Sequence, residues 1–382
     1  MKKNLCFIIT AKPSKIYDER FSFVNIKKKF NLKIIYLNKL IEKKKISIKK
    51  MDNLKNYLKR FNINYVIVVS NYANEKKLIL REFKNLSDIK LADYYLNINC
   101  FEQNTKSLLR ILKLNLTHIS HKNLFFTTYI FIKIFWIIYK NLNTKKISDF
   151  KIDYFFYAGL LDKNRNLFNK TVHNCKVPSF DYLKCYNLKK VLLPKKKYIL
   201  FQDEMLIDHQ DLKLLNEKIP EDLSYHQRLN NFFDYLEKKF GYEVIISLHP
   251  RTNLKNSIKL FKGRKCKLYQ TAELVKKSEF TCFHASTSSV SFPVIFKKKI
   301  LLLSSNNILK NFNYRFRLEF LSDFLNLNVL DIDDKKNFEI RINQFLKKKI
   351  NIKKYLNFKK SFLGPEVKSY KDFSDICGDY LI

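Results

Sequence analysis

Three short stretches of this 382-residue chain hold most of the side chains able to do chemistry. Gln202-Asp203-Glu204 follows the apolar run Tyr198–Phe201, and His249-Pro250-Arg251 follows Glu243–Leu248. His284-Ala285-Ser286-Thr287-Ser288-Ser289 follows Phe280–Phe283. Adjacent carboxylates at a strand end point in opposite directions, so either Asp203 or Glu204 can face a ligand as general base while the other turns inward. Two solvated carboxylates are the plainer reading of the same pair. His249 sits where Pro250 stops a strand, and an imidazole there can donate to a phosphate oxygen or protonate a leaving group. Alone it reads as a surface histidine; beside Arg251 and a hydroxyl cluster it joins an anion site. One hydroxyl suffices to cap a helix. The run Ser286, Thr287, Ser288, Ser289 exceeds that need. With His284 it offers hydroxyls, backbone N–H groups and a positive helix end to a phosphate. Asp331-Ile332-Asp333 has the form of a divalent-cation motif. It comes late in the chain, however, and Asp334-Lys335 reads as a helix cap, so no metal is expected.

Strands must carry these stretches. Leu5–Ile9, Leu32–Tyr36, Tyr65–Ser70 and Tyr154–Ala158 are continuous β-branched or aromatic runs, the pattern of buried parallel strands. Tyr198–Phe201, Glu243–Leu248, Lys267–Tyr269, Phe280–Phe283, Ile300–Leu303 and Val329–Ile332 continue the series, with helical patterns in the gaps. One helix opens at Ser224 with Gln227 as capping-box partner, and Leu229, Phe232, Phe233 and Leu236 fall on one face. Such alternation predicts doubly wound α/β sheets, whose ligands bind at the carboxyl ends of the strands. The basic, Pro-containing connector at 186–196 divides the chain into domains 1–190 and 191–382. The stretch from Ile350 is expected to be helical and to pack back across the first half.

Composition narrows the function classes. Hydrophobic residues make up 46% and aromatics 15%, which excludes a disordered chain. With only 5 glycines, neither GxGxxG nor a Walker A loop occurs. The net charge of +39 would attract nucleic acid, anionic lipid or phosphorylated substrates, although A+T-rich coding yields the same bias. The lysines are spread along the whole chain without a nucleic-acid-binding motif, so no nucleic-acid partner is expected. Seven cysteines without a CxxC pair suggest reduced thiols and a cytoplasmic protein. Residues 124–139, LFFTTYIFIKIFWIIY, are short for a bilayer span. They read either as a buried or capping helix or as an interfacial segment touching the inner face of the membrane.

The order of carboxylate pair, HP dipeptide and Ser-Thr helix start resembles the bacterial sialyltransferases and polysialyltransferases of GT-B fold. Their motifs are D/E-D/E-G, HP and S-S/T; the matching residues here are Asp203-Glu204-Met205, His249-Pro250 and Ser286-Thr287. Residues 196–305 are also similar to the nucleotide-binding half of capsule and lipooligosaccharide glycosyltransferases, whereas the first 190 match only in α/β style. Met205 departs from the motif glycine. The resemblance implies two Rossmann-like doubly wound domains facing a central cleft, the N-terminal one on the acceptor side and the C-terminal one binding the nucleotide sugar. It also implies inverting, metal-independent and cofactor-free transfer of a sialic-acid-like (nonulosonic) sugar. The donor would be CMP-activated, and the acceptor an oligosaccharide or lipid-linked cell-surface glycan. In that scheme Asp203 or Glu204 deprotonates the acceptor and His249 contacts the donor phosphate. Ser286 and Thr287 hold that phosphate, and Glu273 binds the ribose. A Kdo transferase or CDP-alditol phosphotransferase would share a cytidylate donor. A basic nucleic-acid- or membrane-binding protein is the alternative from another class.

Overall fold

The computed structural model describes residues 2–10, 13–37, 48–70, 73–83, 88–96, 147–160, 168–188, 196–207, 221–284, 287–365 and 369–382. It also describes residues 41–42, 45–46, 86, 128, 131, 132, 135 and 194. They form two compact units, one built on residues up to 98, 144–187 and 360–382, the other on 188–359 together with the described residues of 99–143.

The first unit holds β1 (Asn4–Ile9), β2 (Asn31–Tyr36), the short antiparallel pair β3 (Ile41–Glu42) and β4 (Lys45–Ile46), β5 (Tyr65–Val69), β6 (Lys90–Tyr95), β7 (Ile147–Tyr157) and β8 (Phe168–Lys176). Six of these make a parallel sheet in the order β2-β1-β5-β6-β7-β8. β5 is buried along its whole length and β1 along all but its first residue, as their unbroken apolar sequences require. Two strands of this sheet carry weaker sequence signals. β8 (FNKTVHNCK) is polar because it lies at the sheet edge. In β6 the apolar run is broken by Asp93, a buried carboxylate paired with the buried ammonium of Lys76.

The expected return of the C-terminus is present, so residues 360–382 complete the first unit instead of belonging to the second half. Phe373, in the helix Phe373–Leu381, packs its ring against Phe21 (5.4 Å), Phe156 (6.1 Å) and Phe7 (6.4 Å). Asp375 pairs with Lys29 at 2.7 Å. Gly159 makes room for this return: a Cβ there would run into the backbone of Ser361 and Phe362.

The second unit holds β9 (Tyr198–Gln202), β10 (Glu243–Ser247), β11 (Cys266–Lys267), β12 (Phe280–Phe283), β13 (Lys299–Ser304) and β14 (Asn328–Asp331). All six are parallel, in the order β11-β10-β9-β12-β13-β14. From β9 the chain winds outward through β10 and β11, then crosses over to β12 and winds the other way. The exits of β9 and β12 therefore flank the point where the winding reverses, the place where open α/β sheets bind ligands. The helix Tyr225–Phe240 buries Leu229, Phe232, Phe233 and Leu236 as its periodicity predicts. Its expected capping box is absent: Ser224 is itself helical in backbone, and its hydroxyl donates to Asp222 at 2.6 Å.

Candidate functional site

The three chemically loaded stretches leave three neighbouring strands, β10, β9 and β12, at their carboxyl ends. After Gln202 ends β9, the Asp203 N–H donates to the Ser247 carbonyl at 2.9 Å, extending the ladder to β10 by one step. The Asp203 carboxylate accepts the Met205 N–H at 3.2 Å, and the N–H groups of Glu204 and His249 also serve it. Burial outweighs these donors and pushes its carboxyl up to about 6. Asp203 is thus ionised at neutral pH yet basic enough to accept a proton from a hydroxyl in a transition state.

Met205 makes this geometry at a cost. Its φ of 53° is left-handed, the conformation in which glycine is at ease. The position at which the resembled motif has glycine is thus one whose backbone glycine would adopt without strain. Met205→Gly is therefore expected to hold or raise stability, by up to about 1 kcal/mol, and Met205→Val to lower it by a similar amount or more. Denaturant titration of the two variants checks this.

The neighbouring carboxylate turns the other way. Glu204 is buried, and its Oε1 accepts the His284 backbone N–H at 2.9 Å, reaching from the exit of β9 to that of β12. Of the pair, Asp203 is the partly exposed member.

His249 is half-buried, and its Nδ1 accepts the Arg251 N–H at 3.3 Å. In the neutral ring the proton is therefore on Nε2, which becomes a donor. The turn around it is held by the Thr252 N–H to the His249 carbonyl (2.9 Å) and by the Tyr269 hydroxyl to the Pro250 carbonyl (3.2 Å). Arg251 is exposed beside it.

His284 corrects the expectation that its ring takes part in the phosphate site. The residue is fully buried; its Nδ1 donates to the Leu303 carbonyl at 2.8 Å, and its Nε2 accepts from the Tyr225 hydroxyl at 2.8 Å. Burial lowers the imidazole to about 4 and keeps it neutral. Both ring nitrogens are committed to the protein. Tyr225, which carries half of this arrangement, has no signal in the sequence beyond opening a helix.

The expected helix does open at Thr287 and runs to Ile295. Ser286 and the side chains of Thr287 and Ser288 lie outside the described residues. Glu273 is buried in the first turn of the helix Thr271–Lys277. The start of that helix is tied to the end of β10 by the Thr271 and Ser247 hydroxyls, 2.8 Å apart.

Asp331 and Asp333 brace the fold. Asp331 accepts the Asp333 N–H at 2.9 Å, and Asp333 accepts the Asn306 N–H at 2.8 Å and pairs with Arg228 at 3.2 Å. Arg228 also meets the buried Glu221 at 2.5 Å, and Glu221 accepts the Ser305 hydroxyl. Glu221 and Arg228 carry no motif, and sequence reasoning missed both.

No protein-family model matches the chain, and no curated protein matches it. Among solved structures, a spinosyn forosaminyltransferase aligns over 99% of this chain and 98% of its own, at 10% identity and a TM-score of 0.51. The glycotransferase of kitacinnamycin aligns over 100% of both chains, at 7% identity and 0.51. A UDP-GlcNAc 2-epimerase from Methanocaldococcus jannaschii aligns over 99% of both chains, at 15% identity and 0.47. The fold is GT-B. Identities this low establish the GT-B architecture of two Rossmann-like units and leave the chemistry to the site.

Proposed function

We propose that this chain is a glycosyltransferase that moves a sugar from a nucleotide donor to a glycan acceptor, without a metal or cofactor. The observation that carries the reading is the meeting of Asp203, His249 and the helix start at Thr287 at three neighbouring strand exits. Asp203 takes the proton of the acceptor hydroxyl as its oxygen attacks the anomeric carbon, inverting it. His249 donates from Nε2 to an oxygen of the departing phosphate. The N–H groups opening the helix Thr287–Ile295, with Ser286 and Thr287, stabilise the same charge, a task that preorganised donors accomplish without a cation. Glu273 is assigned to the donor ribose, following the motif resemblance. Two fold neighbours with TM-scores of 0.51 are named as sugar transferases, which supports the reaction class.

The donor proposed is a CMP-activated, nonulosonic sugar, on the strength of the motif order Asp203-Glu204, His249-Pro250, Ser286-Thr287. Thermal shift with CMP, CDP, UMP, UDP and TDP, with and without EDTA, tests it, because a ligand that binds only the native state stabilises it. Selective stabilisation by CMP that survives EDTA is the expected result. A UDP or TDP preference would replace the donor, a CDP preference would favour alditol-phosphate transfer, and a response lost in EDTA would overturn metal independence.

The acceptor is proposed to lie at the inner face of the membrane. Phe131, Ile132 and Phe135, in the stretch 124–139 whose other side chains are mostly outside the described residues, are 53%, 58% and 71% exposed. Among the described residues no helix is long and apolar enough to cross a membrane. Their apolar surface, in a chain of net charge +39, suits an anionic bilayer surface. Flotation with anionic vesicles is expected to carry the wild type and to fail for the Phe131→Ser/Phe135→Ser variant; equal flotation of both would remove this contact.

A further inference from the structure

We infer that Glu204 is a positioning residue, and that with Tyr225 and His284 it forms a buried bracket setting the base Asp203 against the start of the helix Thr287–Ile295. The inference rests on the transferase reading above. Three elements converge on His284. From the exit of β9, Glu204 accepts its backbone N–H at 2.9 Å. From the first turn of the helix Tyr225–Phe240, Tyr225 donates to its Nε2 at 2.8 Å. From β13, the Leu303 carbonyl accepts from its Nδ1 at 2.8 Å. A carbonyl only accepts, so the neutral ring carries its proton on Nδ1, and Nε2 is left to accept from the tyrosine. One tautomer satisfies every contact.

The bracket is dry. His284 is fully buried, Tyr225 1% exposed and Glu204 6% exposed. Polar groups this deep are costly unless paired, so the contacts hold one arrangement instead of a range. Its two ends are adjacent to the chemistry: Asp203 precedes Glu204, and the hydroxyl run follows His284 within two residues. Releasing the bracket would let the base and the phosphate donors drift apart, and a displacement of about 1 Å costs on the order of a hundredfold in rate. The Glu204 contact needs an oxygen acceptor and not a charge, which separates it from a general base.

Steady-state kinetics of Glu204→Gln, Glu204→Ala and Tyr225→Phe, with hydrogen–deuterium exchange of the segment 282–290, test the bracket. Glutamine keeps an oxygen acceptor of the same reach, so Glu204→Gln should retain kcat and donor KM within about threefold. Glu204→Ala should raise donor KM at least tenfold and accelerate exchange of the segment at least tenfold, with the acid limb of the pH profile unmoved. Tyr225→Phe should show the same pattern more weakly, and it serves as the test if Glu204→Ala does not fold. A Glu204→Gln variant as dead as Asp203→Asn would make Glu204 the base and overturn the inference. Unchanged exchange in both Glu204→Ala and Tyr225→Phe would overturn it too. If the wild type turns over no nucleotide sugar, the transferase reading fails on its own. The exchange data then still decide the bracket, upheld by acceleration in the alanine variant and not in the glutamine one.

Discussion

Asp203→Asn is expected to lower kcat by about a thousandfold or more while making the protein harder to melt. The first effect follows if Asp203 is the base, as proposed; the second follows from the burial that raises its carboxyl. In the folded protein the Asp203 carboxyl titrates near 6, above its ordinary 3.8, so the native state binds this proton more tightly than the unfolded chain. Its charge therefore opposes folding at neutral pH, and the penalty fades as pH falls from about 6 towards 3.8. At about 1.4 kcal/mol per pKa unit the penalty approaches 3 kcal/mol, reduced by the partial exposure of Asp203, so a gain of about 1–2 kcal/mol is expected for the asparagine variant. His284 acts in the opposite sense. Its imidazole is held near 4, below the ordinary 6.5, so stability is lost as pH falls from 6.5 through 4. In Asp203→Asn that loss is no longer offset, and its melting temperature should drop more steeply on acidification than the wild type's. In the wild type, kcat should fall tenfold per unit below pH 6. Melting curves from pH 4 to 8 and the pH–rate profile check both claims; full activity in Asp203→Asn would move the base elsewhere.

His249→Gln should cost about a hundredfold to a thousandfold in kcat, with little change in melting temperature. The imidazole is half-buried, and the Arg251 N–H to its Nδ1 leaves Nε2 as the protonated nitrogen, the one able to donate. Glutamine can accept from Arg251 but cannot present a rigid donor at the same reach. The loss should appear chiefly in kcat, because the charge on the departing phosphate develops in the transition state. A fall in donor affinity with kcat intact would place His249 in ground-state binding. An unchanged enzyme would remove it from the site.

The strands were legible because their signal is local. Runs such as Tyr65–Val69 and Tyr198–Gln202 are buried on both faces, and continuous apolar sequence is the mark of that environment. The order of the three motifs and their places at strand exits could be read in the same way. β6 was missed because Asp93 interrupts its apolar run, and the buried carboxylate is made tolerable by the Tyr94 N–H beside it and by Lys76, 17 positions away. Met205 reads in the sequence as a break in the motif, yet its backbone is left-handed, a conformation that glycine adopts freely.

What only the tertiary structure decided is which polar groups look inward. Glu204 and Asp203 are equivalent in a sequence, both carboxylates after a strand. Their separation comes from a contact with His284, 80 positions away, brought within 2.9 Å because β12 pairs with β9. The fate of His284 was likewise beyond local reading: its ring partners come from the helix Tyr225–Phe240 and from β13, and they turn a candidate ligand-binding histidine into a buried brace. Side-chain type and spacing specify what a residue is able to do. Burial and partner choice are set by strand order, and strand order arises from packing between segments far apart in the chain.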